Sequence, residues 1–470
     1  MGLTVQICLH NFSVFLQYII TYLVNTMATN SRAQFSSKFG FIMAAAGSAV
    51  GLGNIWGFPT QAASNGGAVF LIVYLLMVCV LAFPMLVAEL TIGRYGQSNP
   101  IGSIKAIWPN GKVGAALLGL AAMTCASLIL AFYSIVAGWL VGGFAGSVFD
   151  LVGLTAASDW INGFGSARNL LLMVAFMALT MYVVRNGVAD GIERWSTRLM
   201  PMLFTLFTVL IIYILTQDGA SEGLKMYLIP DFSHFTPKLL VSAMGQAFFS
   251  LSLGVGSIMV YGSYLQKDVN IPKTAAQVAA IDTGVAVGAG LLILPAMFVA
   301  KEHGVQIFSE SGALLSSDTL VFTVLPALFD SMGSVGLLVS LVFFLLMIIA
   351  ALTSSISLLE VPVACAIEEL KQKRSTAVLW IGGLITVFSA IIVFNFGAMF
   401  GMVIEISTVY GQPILGLCWA LLVGWVWKRD KVLQEIKQGF PEVEQGLFWK
   451  IWPWYVRVVC PVFMLLVFFA

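Results

Sequence analysis

The sequence predicts an all-α polytopic membrane protein built as a five-plus-five inverted repeat of the transporter type, with eleven transmembrane helices of which 1 and 6 are broken. Three observations carry this. Of the 470 residues, 59% are hydrophobic and only 10% are charged, with a mean hydropathy of +0.96; a soluble domain is about 25% charged. Apolar segments long enough to cross a bilayer recur along the whole chain. Two of these segments share a glycine-rich interruption and lie five spans apart. Collagen-like, coiled-coil, disordered and disulfide-stapled classes are excluded by the same composition.

Residues 1–26 are apolar but carry His10, Asn11, Gln17 and Asn25. They have no basic leading region and no small-residue cleavage site, which argues against a signal peptide. Met27 opens the polar, basic run MATNSRAQFSSK and is expected as the native start; an extra peripheral helix is the alternative for 1–26. Residues 27–39 are then a cytoplasmic segment. The first five-helix repeat covers 40–216, with spans near 40–62, 67–92, 113–148, 169–184 and 199–216. The second covers 241–427, with spans near 241–264, 275–300, 333–365, 377–394 and 398–427. A cytoplasmic loop, 428–452, leads to an eleventh helix at 453–470. Both 113–148 and 333–365 exceed one crossing and are expected to tilt or project beyond the bilayer.

Basic residues set the orientation. With Arg32 and Lys38 inside, only Arg168, Lys225, Lys238 and Lys301 of the 23 Lys and Arg fall in external loops, and Arg457 lies within the last span. The start of the first helix is therefore expected in the cytoplasm and the C-terminus outside. The six cysteines are scattered through apolar stretches without Cys-x-x-Cys spacing, and the three histidines lie in no metal-binding frame. Redox, zinc and metal-hydrolase chemistry are not indicated.

The interruptions are Gly51-Leu52-Gly53-Asn54-Ile55 and Gly254-Val255-Gly256-Ser257-Ile258. Unwinding a helix at mid-membrane frees N–H and C=O groups that hydrocarbon cannot satisfy. The N-terminal end of a half-helix favours a carboxylate, and freed carbonyls favour a cation. Two such breaks in an inverted pair point to a transporter. Asn54, Ser250, Asp282 and the pair Thr353-Ser354 add oxygen ligands in otherwise apolar spans, and Asp282 in particular needs a cation or a proton. Glu89 reads as a helix-anchoring carboxylate at the inner end of the second span. Tyr133 can aim its hydroxyl into a cavity.

The runs GSAVGLGNIWGFP (47–59), NGG (65–67), GRYG (93–96), GQAFFSLSLGVG (245–256), LTSS (352–355) and AVLW (377–380) resemble the neurotransmitter:sodium symporter family, most closely its bacterial amino-acid branch. The resemblance covers roughly 32–470. It implies a first sodium site of Ala49 carbonyl, Asn54, Ser250 and Asp282 with the substrate carboxylate. A second sodium site would use the carbonyls of Gly47, Val50 and Ala350 and the hydroxyls of Thr353 and Ser354. The substrate carboxylate would meet the backbone of Leu52 and Gly53 and the Tyr133 hydroxyl. Ile129, Phe249, Ser252, Val255 and Leu358 would line the side-chain pocket, with Ala49 and Ser250 at its edge and Phe249 as the outer lid. At the inner gate Arg32 would pair with Glu368, supported by Ser263 and Tyr264.

This chain departs from the family pattern in ways that refine the expectation. Gly51 stands where monoamine-transporting relatives carry Asp, which leaves room for an α-amino acid carboxylate. Gly57 and Ile404 replace the Arg and the acid of the outer gate, so that gate is expected to close by packing; Glu405 is one position away. Asp282 and Ala286 replace the Asn and Ser of chloride-dependent relatives, which predicts chloride independence. The expected function is sodium-coupled symport of a neutral, hydrophobic α-amino acid through the cytoplasmic membrane by alternating access. It involves two Na+ ions, no organic cofactor, no nucleic acid and no enzymatic step. The alternative is a non-transporting sensor or ion-conducting relative on the same fold.

Overall fold

The computed structural model describes residues 32–163, 165–307 and 324–469. The expectations for residues 1–26, and for the start of the 27–39 segment, lie outside the described residues. Two units separate: Met1–Gln34 and Phe35–Ala470. The second holds every span described below, and the regular secondary structure of its described residues is helical.

The first span begins at Ser37, whose side chain accepts from Gly40 N and caps the helix Lys38–Ala49. Glu193 secures this start from the 188–193 turn: its carboxylate accepts from the backbone and hydroxyl of both Ser36 and Ser37 at 2.7–3.1 Å. The helix stops at Val50, which turns extended, and a second segment, Gly53–Ser64, resumes with a 49° bend. Further spans run Ala68–Gly96, Lys112–Leu151, Ser166–Arg185, Val188–Leu215, Ile271–Glu302, Gly333–Glu369, Arg374–Phe394 and Phe396–Val426. The long helices Lys112–Leu151 and Gly333–Glu369 pack extensively on one another.

Among the described residues, eight helices are long and apolar enough to cross a membrane, or nine with the bent first pair counted as one span. The other two expected spans are not among these. The sixth is split into Pro237–Ser250 and Ser257–Ser263 by an irregular stretch at 251–256. The last is built from Leu447–Trp454, a wider π-type segment Tyr455–Val459, and Cys460–Phe469. The sixth breaks because Ser252, Gly254 and Gly256 all have positive φ, at 52°, 86° and 82°, a region that terminates an α-helix. At Gly254 no side chain would fit, since a Cβ would sit 2.3 Å from the Gln412 carbonyl oxygen.

The 428–452 loop is itself structured. Its helix Arg429–Lys437 presents Glu435 to the fully buried Arg94, with Arg94 Nε to Glu435 Oε1 at 2.7 Å. Lys267 donates to the same carboxylate at 3.2 Å. Arg94, from the GRYG run, thus ties the second span to this loop.

Candidate functional site

The two breaks meet beside the seventh span. Asn54 Nδ2 donates to Asp282 Oδ1 at 2.7 Å, to the Asp282 carbonyl at 3.0 Å and to Ser250 Oγ at 2.8 Å. Ser250 Oγ donates to Asp282 Oδ2 at 2.8 Å. Asn54, Ser250 and Asp282 are buried. The three side chains expected at the first sodium site therefore form one cluster at mid-span. The remaining Asn54 atom, Oδ1, accepts from Gly51 N at 3.0 Å.

On the other side of the unwound turn, Ser354 Oγ donates to the carbonyls of Gly47 and Val50 at 3.3 and 3.2 Å. Thr353 Oγ1 instead bonds back along its own helix, to Ile349 and Ala350 carbonyls at 3.1 Å, the usual option for a helical hydroxyl. Ser354 thus joins Gly47 and Val50, Thr353 bonds to Ala350, and the two sets adjoin where Gly47 packs against the Thr353 side chain. Both clusters consist of hard oxygen donors, the type that alkali and alkaline-earth cations take.

Between them lies a cavity of about 20 Å³ lined by Ala49, Ile129, Tyr133, Phe249, Ser252, Val255, Ser354, Leu358 and Gln412. Leu52 N donates to Tyr133 Oη at 3.0 Å, which brings together two of the groups that the resemblance assigns to a substrate carboxylate. Gly53 packs on Phe249: a Cβ there would be 2.9 Å from Phe249 Cδ1. At Gly51 a Cβ would lie 2.4 Å from Ser354 Oγ and 2.7 Å from Tyr133 Oη. Ser252, strained at φ 52°, is held by its hydroxyl donating to the Ser48 carbonyl at 2.8 Å. Strained backbone of this kind concentrates at functional sites.

Above Phe249 opens a vestibule of about 610 Å³ lined by Trp56, Gln61, Phe132, Val241, Ser242, Met244, Gly245, Gln246, Phe249, Ile404, Thr408, Val409, Tyr410 and Pro413, with no charged side chain. Ile404 faces it, whereas Glu405 is exposed and accepts from Tyr410 Oη at 3.4 Å. Packing is not the sole element here. Gln246 Nε2 donates to the Gly53 carbonyl at 2.6 Å and its Oε1 occupies space 3.2 Å from where a side chain at 57 would start.

Of the residues expected at the inner gate, Arg32 lies in the unit Met1–Gln34. Glu368 accepts from Ser98 Oγ at 2.6 Å and from Asn99 N and Nδ2 at 2.9 and 3.0 Å. Ser263 Oγ donates to the Val260 carbonyl. Tyr264 Oη donates to Glu360 Oε1 at 2.6 Å, and Arg374 pairs with the same buried Glu360 while donating to the Val184 carbonyl at 2.8 Å.

Sequence reasoning missed this Tyr264–Glu360–Arg374 network, although an acid inside the apolar 333–365 segment was a visible signal. It also missed Gln412, a polar residue in the tenth span, and misread Glu89. The Glu89 carboxylate does not anchor a helix end: Oε1 accepts from Gly254 N at 2.7 Å, holding the second break. An N–H freed by the positive-φ turn needs a partner that hydrocarbon cannot supply.

Comparison with known proteins gives a consistent picture. The family model described as the sodium:neurotransmitter symporter family matches residues 32–152 and 151–470. An uncharacterized sodium-dependent transporter, YhdH, of Bacillus subtilis is 35% identical over 462 residues, covering 94% of this chain and 98% of that relative. An uncharacterized sodium-dependent transporter of Haemophilus influenzae is 30% identical over 475 residues, covering 94% and 99%. Among solved structures, MhsT in complex with L-phenylalanine superposes with a TM-score of 0.82 at 36% identity, covering 93% of this chain and 99% of that one. Eight or more apolar helices, paired helix breaks flanked by oxygen clusters, and these similarities together establish that this chain is a multi-pass membrane protein belonging to the sodium:neurotransmitter symporter family.

Proposed function

We propose that the protein couples two sodium ions to the uptake of a neutral, hydrophobic α-amino acid, without a requirement for chloride and without an organic cofactor. The observation that carries this is the convergence of Asp282, Asn54 and Ser250 beside the unwound 50–53 backbone and the Tyr133 hydroxyl. The solved relative bound to L-phenylalanine supports an amino-acid substrate. The apolar lining by Ile129, Val255, Leu358 and Phe249 supports a hydrophobic side chain.

The coupling follows from Asn54. Its amide nitrogen points at Asp282 and Ser250, and its oxygen occupies Gly51 N–H. A sodium ion at Asp282 repels the amide nitrogen and draws the oxygen round. That turn releases Gly51 N–H, at the half-helix end, for the substrate carboxylate. Sodium then precedes substrate, and the substrate carboxylate completes the ion's shell. Ala49 carbonyl serves the same ion, and Ser354 with Thr353 and the Gly47, Val50 and Ala350 carbonyls serves the second. Each ion crossing 100 mV releases about 2.3 kcal/mol, so two ions can concentrate a substrate about a thousandfold.

The chain resides in the cytoplasmic membrane, with the start of the first helix inside and the C-terminus outside, as the asymmetry of basic loops favours. Glu368 contributes to inner closure together with Ser263 and Tyr264.

Thermal stabilisation of the purified protein by amino acids tests the reading. Stabilisation is expected equally in sodium chloride and sodium gluconate and is absent in potassium chloride. Dependence on chloride would overturn the fixed-carboxylate account, and stabilisation in potassium would overturn sodium coupling. For the second ion site, Thr353→Val with Ser354→Ala is expected to weaken sodium affinity about tenfold or more, by loss of two hydroxyl ligands; unchanged affinity would remove the site from these residues.

A further inference from the structure

We infer that Gln412 reads the substrate side chain, accepting a hydrogen bond at its amide oxygen and so selecting amino acids whose apolar side chain carries one N–H or O–H donor. This rests on the amino-acid reading above and narrows it. Gln412 lines the central cavity and is 2% exposed. Its Nε2 donates to the Leu253 carbonyl at 3.1 Å, which fixes which end of the amide is which. Its Oε1 is buried and has no hydrogen-bond partner among the described residues. A buried acceptor without a donor carries a standing penalty, and such groups are rare in native interiors.

Swinging the side chain away would break its bond to the Leu253 carbonyl. The backbone at 412 is pressed on Gly254, whose carbonyl accepts from Trp419 Nε1 at 3.2 Å and whose N–H is held by Glu89. Gln412 also begins the regular helix directly after the π-type segment Glu405–Gly411, and such π turns frequently mark functional positions. The carboxylate end of the cavity is set by Leu52 N and Tyr133 Oη. Gln412 is tied instead to 253–254, next to Val255. The donor it awaits therefore belongs to the substrate side chain rather than to its α-amino acid head. An apolar wall with one oriented acceptor discriminates strongly against an isostere that lacks the donor, because the acceptor is then left buried and unpaired.

The test is sodium-dependent binding to the full-length purified protein of three isosteric pairs. These are L-tryptophan against 3-benzothienyl-L-alanine, L-tyrosine against L-phenylalanine, and L-threonine against L-valine. The wild-type protein is expected to prefer the donor-bearing member of at least one pair about tenfold or more. In Gln412→Met that preference collapses to near unity. Equal affinity within all three pairs, or a preference that survives in Gln412→Met, overturns the assignment. The wild-type ranking stands as a test even if the variant fails to fold. If none of the six binds in sodium, the amino-acid reading itself is what fails.

Discussion

Replacing Gly51 with alanine is expected to abolish sodium-dependent substrate binding, with a loss of affinity of about a hundredfold or more. The added Cβ would lie 2.4 Å from Ser354 Oγ and 2.7 Å from Tyr133 Oη, well inside contact distance. Ser354 bonds the Gly47 and Val50 carbonyls, and Tyr133 bonds Leu52 N, so neither side chain can retreat without disturbing an adjoining site. The unwound turn must move instead, and a shift of about 1 Å at a binding centre is enough for a hundredfold loss. Gly51→Asp, which restores the residue type of monoamine-transporting relatives, is expected to be no better, because it adds bulk and a charge beside the carboxylate site. Equilibrium binding of a labelled amino acid checks both. Wild-type affinity in Gly51→Ala would show that the turn is not packed as described.

Asp282→Asn is expected to remove the response to sodium while leaving the folded protein as stable as before or more so. Asp282 is buried and accepts from Asn54 and Ser250. Without a cation its charge is balanced only by these two neutral donors, so neutralising it relieves a desolvation cost. With sodium at the proposed site, the carboxylate and the ion would form a buried pair. Removing one partner of such a pair costs about 3–5 kcal/mol, or roughly a hundredfold to several thousandfold in sodium affinity. Melting temperature against sodium concentration separates the two effects. A sodium-induced shift that persists in the variant would place the coupling charge elsewhere.

Much of this site is visible in the sequence because glycine and polar residues are conspicuous inside apolar spans. The pairs Gly51/Gly53 and Gly254/Gly256 mark both breaks, and Asn54, Ser250 and Asp282 stand out as polar groups at the depths where they meet. What is hidden is what depends on rotation and register. The turn at Glu405–Gly411 is wider than an α-helix, and which tenth-span residues face inward depends on it. Hence Gln412 is obscure from spacing, while Ile404 rather than Glu405 faces the vestibule.

Glu89 was ambiguous for a related reason. Its partner is a single backbone N–H exposed only by the positive φ of Gly254, and a periodicity argument carries no such information. Likewise the hydrophobic pattern locates Glu360 and Arg374 on consecutive helices but does not bring Tyr264 to them.

The central claim is that sodium flow drives accumulation of an amino acid. The most direct test is uptake of a labelled neutral amino acid into proteoliposomes carrying an imposed inward sodium gradient. Concentrative uptake is predicted that collapses when external sodium is replaced by potassium and is indifferent to replacement of chloride by gluconate. Accumulation that persists in potassium would contradict the coupling, and sodium-dependent binding without any accumulation would contradict transport itself.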